Sequence, residues 1–175
     1  MMIMTTYVIL AGGKSSRMKQ DKSMMERGTN RIYQLCKSMG KSSIITLCGD
    51  ESRIDFFEGE VWPDPTGLRG ALDIIKWCFN NIEDRIQLIP CDAFNLEKEA
   101  LSWLDTFDNA TPVDYLGNRQ PLLSVISDKE KIDFSANDIR GLFSNIPSVV
   151  NEKIAGQFNN FNTEDDLSKL GQSSS

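Results

Sequence analysis

Apolar residues in this chain gather in short, nearly unbroken runs. Tyr7 to Ala11 reads Tyr-Val-Ile-Leu-Ala and stops at Gly12-Gly13, and similar runs recur at Ile44 to Cys48, Ile86 to Pro90 and Leu122 to Ile126. A half-exposed strand would alternate apolar with polar positions, so runs of this kind predict central parallel strands buried on both faces. Between them the apolar spacing changes to three and four, at Ile32, Leu35, Cys36 and Met39 and again at Leu68, Leu72, Ile75 and Phe79. That period predicts helices with one buried face. Ala100, Leu101 and Leu104 predict a third helix, and Ile139, Leu142 and Phe143 a fourth. Strands alternating with helices predict βαβ units and right-handed crossovers, hence an α/β fold with a mostly parallel central sheet covered on both sides. Ligands of such sheets sit beyond the carboxyl ends of the strands.

A length of 175 residues fits one domain with a core of its own. No internal repeat or low-complexity linker divides it, so a single domain is expected over 1–170, with 171–175 as a frayed tail. The chain contains no histidine, which excludes a Ser-His-Asp triad, an imidazole base and a His-ligated zinc. Lys plus Arg is 19 against 25 for Asp plus Glu, a net charge of −6, the wrong sign for a protein that tracks a nucleic-acid backbone. A phosphate ligand therefore needs a local basic pocket. Cys36, Cys48, Cys78 and Cys91 form no C-x-x-C pair, and no apolar run approaches the ~18 residues of a membrane span. Met1 to Ala11 lacks the basic start of a signal peptide. A cytoplasmic protein without membrane or nucleic-acid partners is expected.

The basic pocket is found directly after the first run. Gly12-Gly13-Lys14-Ser15-Ser16-Arg17-Met18-Lys19-Gln20-Asp21-Lys22 carries four cations against one acid. Two glycines allow a sharp turn and close approach of backbone N–H groups, while the cations offset phosphate charge. A Walker A loop is ruled out, because the glycine required five residues before Gly13 is Val8. The spacing is not G-x-G-x-x-G either, so this is not a Rossmann dinucleotide fingerprint.

Leu10-Ala11-Gly12-Gly13-Lys14-Ser15-Ser16-Arg17-Met18, with Asp21-Lys22 following, resembles the signature of the molybdenum cofactor guanylyltransferases and their nucleotidyltransferase relatives. The resemblance implies a three-layer, Rossmann-like nucleotidyltransferase fold in which this loop wraps the triphosphate of the incoming nucleotide. Leu10, Ala11, Gly12 and Gly13 would then offer backbone contacts, Arg17 would meet phosphate, and Lys22 would steady charge on the α-phosphate or leaving group. Lys19 departs from the family's usual glycine.

Ile89-Pro90-Cys91-Asp92 places a carboxylate just past the end of a predicted strand. By itself Asp92 fits a magnesium ligand and a turn or helix cap equally well. The family carries a Pro-Cys-Asp triplet at a corresponding strand end, and the resemblance implies Asp92 as the Mg2+ ligand. Trp62-Pro63-Asp64-Pro65-Thr66-Gly67-Leu68-Arg69-Gly70-Ala71 resembles the family segment in which an aspartate precedes a glycine-rich turn opening a helix. Asp64 would contact the nucleotide there and accept the N1–H and N2–H pair that distinguishes guanine, although an aspartate between two prolines is also an ordinary turn residue. Within that turn only Leu68 and Gly70 hold their expected places. Cys48 stands where the family often has asparagine, and reads as a small buried residue.

Arg119-Gln120-Pro121-Leu122-Leu123 and Phe158 to Leu167 resemble late family segments. The second implies Asn160 and Asn162 as substrate contacts, while Asn162 or Thr163 also suits a helix cap ahead of Glu164, Asp165 and Asp166. The activity implied is transfer of GMP from GTP to the phosphate of molybdopterin, with release of pyrophosphate. Its catalytic set would be Arg17, Lys22 and Asp92, and its partners would be molybdopterin-delivering proteins and acceptor molybdoenzymes. The alternatives are a relative using CTP or another phosphorylated acceptor, and a non-catalytic nucleotide-binding adaptor on the same scaffold.

Overall fold

The computed structural model describes residues 4–12 and 28–159. The strands are β1 (Thr5–Leu10), β2 (Ile44–Gly49), β3 (Glu60–Pro63), β4 (Arg85–Pro90), β5 (Asn109–Pro112), β6 (Val125–Ile126) and β7 (Ser148–Val149). The helices are α1 (Thr29–Ser38), α2 (Gly70–Asn81), α3 (Lys98–Leu104) and the single turn α4 (Ile139–Leu142). One seven-stranded sheet has the order β3-β2-β1-β4-β6-β5-β7. β1, β2, β3 and β4 run parallel, β6 runs against both β4 and β5, and β7 runs parallel to β5.

Side chains of successive strand residues point to opposite faces, so each central strand feeds two cores. Val8, Ile45, Leu47, Ile86 and Leu88 pack with Ile74, Ile75, Cys78 and Phe79 of α2 and with Leu142 and Phe143. Tyr7, Ile9, Ile44 and Ile89 pack with Ile32 and Cys36 of α1 and with Ala100, Leu101 and Leu104 of α3. The result is the expected three-layer α/β arrangement. Among the described residues, no helix is long and apolar enough to cross a membrane.

The expected strand over Leu122 to Ile126 is corrected. Pro121–Leu123 forms a single 3-10 turn, and only Val125–Ile126 joins the sheet, antiparallel. Val113 bridges Arg119 in antiparallel fashion, so the chain folds back on itself after β5 and lacks the crossover a parallel return would need. Gln87, fully buried in β4, compensates for the irregular approach by donating through Nε2 to the carbonyl of Leu123 at 2.9 Å. The short strands β3, β5 and β7 carry no apolar run and were invisible to periodicity.

Candidate active site

The chain lays down β1, β2 and β3 outward on one side of β1, then returns to place β4 on the other side. The carboxyl ends of β1 and β4 therefore border the topological switch point, where an open α/β sheet leaves a crevice. The two strands are still paired there, Leu10 opposite Pro90, and the Cys91 N–H donates to the Leu10 carbonyl at 3.1 Å. Ala11 and Gly12 leave the sheet on one side of this point and Cys91 and Asp92 on the other.

A corner built from three strand ends adjoins it. The Ala11 N–H donates to the Leu47 carbonyl at 2.9 Å, and the Asp64 N–H to the Gly49 carbonyl at 2.7 Å. Gly49 has φ of 82°, a left-handed conformation that a Cβ would strain. A Cβ on Gly12 would lie 3.2 Å from the Gly49 Cα and 3.7 Å from Asp64 Oδ1. Glycine at 12 thus lets β1 exit against β2, with the Asp64 carboxylate alongside. Desolvation raises the pKa of that carboxylate above its ordinary value, and a hydrogen bond from Gly49 backbone works in the opposite direction. The Thr66 to Gly70 turn does open a helix, α2, and Gly67 and Gly70 have φ of 89° and 75°.

Beneath the corner lies a small apolar floor of Ala11, Cys48 and Phe57, flanked by Ile54, Val61 and Cys91. Cys48 is buried, as its reading as a small core residue implied, and its thiol donates to the Asp50 carbonyl at 3.4 Å. Burial pushes that thiol's pKa up. Arg53 sits buried in the same floor, with its guanidinium donating to the Ala11 carbonyl at 3.0 Å.

Leu10, Ala11, Gly12 and Asp64 therefore meet in one corner, and Asp92 stands across the switch point, half-buried in the turn after β4. Asp92 does not cap α3, whose N-cap is Glu97. Gly13, Arg17, Lys22, Asn160 and Asn162 lie outside the described residues. Arg119 is a strut, donating to the carbonyls of Ile146 at 3.0 Å and Phe143 at 2.8 Å. Sequence reasoning passed over Gly49 and Arg53. A glycine ending a predicted strand before an aspartate was a usable signal for the first, whereas nothing local marks Arg53 as a neighbour of Ala11.

No group of three or more Cys, Asp or Glu side chains among the described residues could enclose a metal ion.

A family model described as the MobA-like NTP transferase domain matches residues 7–138. No curated protein is significantly similar in sequence. Molybdopterin-guanine dinucleotide biosynthesis protein A from Archaeoglobus fulgidus is similar in structure, with TM-score 0.69 and 19% identity over 98% of this chain and 98% of that chain. A protein of Aquifex aeolicus VF5 has TM-score 0.72 and 20% identity over 91% and 94% of the two chains. The bifunctional IspDF of Campylobacter jejuni has TM-score 0.65 and 12% identity over 95% of this chain and 54% of that one. At these identities the likeness is one of fold.

Proposed function

The chain belongs to the MobA-like NTP transferase family, a family of nucleotidyltransferases, and from that premise we propose that it transfers GMP from GTP to the phosphate of molybdopterin. The observation that carries the reading is the placement of Gly12 and Asp92 on either side of the β1/β4 switch point, with the Asp64 carboxylate in the adjoining corner. The triphosphate would run along the loop that leaves β1 at Gly12, with the base toward Asp64. Asp92 would hold Mg2+, which when bound supplies positive charge to the phosphates.

The acceptor phosphate is already anionic near neutral pH, so the absence of histidine costs the reaction nothing. The work left to the chain is alignment and charge. Backbone groups from Leu10 to Gly13 would orient the triphosphate, and Arg17 and Lys22 would offset charge that develops on the leaving oxygen. A carboxylate at Asp64 accepts two N–H groups, which guanine presents and cytosine does not. Asn160 and Asn162 would meet the acceptor, and molybdoenzymes in the cytoplasm would receive the product.

Incubation with Mg2+-GTP and molybdopterin should release pyrophosphate and form the guanine dinucleotide. Preferential thermal stabilisation by Mg2+-CTP would overturn the choice of base. Nucleotide binding without pyrophosphate release would make the protein an adaptor.

A further inference from the structure

Arg53 comes from the two-turn 3-10 helix Glu51–Phe56 that follows β2, a region no motif marks. Its backbone is fixed twice over: the Asp50 carboxylate accepts the Ser52 N–H at 2.8 Å, and the Arg53 N–H donates to the Asp50 carbonyl at 3.0 Å. The guanidinium carbon lies 5.7 Å from the centre of the Phe57 ring, and the residue is 7% exposed. From that position it donates at 3.0 Å to the carbonyl of Ala11, which is itself wholly buried. Ala11 is the last residue before the Gly12-Gly13 turn.

A buried charge is expensive unless something uses it, and a buried carbonyl at the end of a strand needs a donor. The Ala11 carbonyl receives one from Arg53, in a contact that crosses from the segment after β2 to the exit of β1. We infer that Arg53 is a positioning residue for the nucleotide site: by holding the Ala11 carbonyl, it fixes the Ala11–Gly12 backbone beside Gly49 and Asp64. The inference rests on the nucleotidyltransferase reading above. Backbone groups already held in place cost less to order on a nucleotide, and that saving appears in binding. Arg53 itself lies beneath the backbone and touches no reacting group, so the chemical step is little affected.

The test compares wild type with Arg53→Met, which keeps the stem and removes the donors, and Arg53→Lys, which keeps the charge and loses the planar fork. Arg53→Met should raise KM for Mg2+-GTP about tenfold, the loss of a charged hydrogen bond, with kcat and the acceptor KM within about threefold. Arg53→Lys should recover part of the affinity. Amide hydrogen exchange in a peptide spanning Ala11 to Gly13 should quicken in Arg53→Met. An unchanged nucleotide KM in folded variants, or equal loss in kcat, overturns the inference. If Arg53→Met does not fold, Arg53→Lys carries the same comparison. A wild-type protein that binds neither Mg2+-GTP nor Mg2+-CTP refutes the reading beneath it instead, and in that case unchanged exchange at Ala11 to Gly13 still overturns the anchor.

Discussion

Two buried arginines stand at opposite edges of the same sheet and do different jobs. Arg85, at the amino end of β4, donates to Thr5 Oγ1 at 3.0 Å, to the carbonyls of Leu104 at 3.1 Å and Asp105 at 3.2 Å, and to the Phe107 carbonyl. Those carbonyls belong to the end of α3 and the turn beyond it, whose acceptors have no intrahelical partners. Asp105 completes the edge, accepting Tyr7 Oη at 2.6 Å and Lys41 Nζ at 2.8 Å. Arg53, at the carboxyl end, instead secures the exit of a strand into the loop that would bind phosphate. The amino edge is bonded into a closed structural network. Beyond Arg53 the corner holds Gly12, Gly49 and the Asp64 carboxylate, open to solvent on one side.

The comparison can be broken from either side. The largest effect is expected at the amino edge: Arg85→Met removes the buried guanidinium that ties the end of α3 to β1 and β4, and should cost about 3 kcal/mol of stability by denaturant unfolding. Its kcat/KM per folded molecule should be unchanged, and a selective loss of activity would dissolve the distinction between the edges. Asp92→Ala should do the reverse, holding the midpoint of thermal unfolding while kcat with saturating Mg2+-GTP falls on the order of 10²-fold. Lys22→Ala should behave alike.

Asp64→Asn is expected to weaken Mg2+-GTP about tenfold, one charged hydrogen bond's worth, with little effect on a triphosphate lacking the N2–H. Because the Asp64 carboxyl's pKa is raised by desolvation, protonation should erode GTP affinity at a pH above that of an ordinary aspartate. The stability linkage has the opposite sign. A raised acid binds protons more readily in the folded state, so this group's stabilising contribution is present at low pH and is lost as pH rises through the folded pKa. Asp64→Asn should accordingly flatten both pH profiles, read by titration calorimetry and thermal unfolding. The smallest expected change is Gly12→Ala, whose Cβ would press on the Gly49 backbone at 3.2 Å. It should cost about 1 kcal/mol and weaken nucleotide binding in proportion.

The central part of the fold was legible because burial on both faces leaves a local trace. Tyr7 to Ala11, Ile44 to Cys48 and Ile86 to Pro90 are apolar runs for that reason, and they became β1, β2 and β4 within a residue or two. α1, α2 and α3 announced themselves by their buried stripes in the same way. The short strands β3 and β5 did not, since Glu60–Pro63 and Asn109–Pro112 are four residues each and partly polar. Leu122 to Ile126 misled because an apolar run records burial and carries no information on direction. Of the candidate site, Gly12, Asp64 and Asp92 could be named from motif resemblance, whereas Arg53 could not.

Sequence alone therefore determined the class of fold, the cluster of cations after the first strand and the exclusion of imidazole chemistry, all of which can be read along the chain without its folded contacts. Only the tertiary structure decided that β6 runs backwards, that Gly12 and Asp92 flank one switch point, and that Arg53 reaches Ala11 across 42 residues. The physical reason is common to all three: a hydrogen bond or a strand pairing between distant segments depends on their final separation, which only the packed core sets.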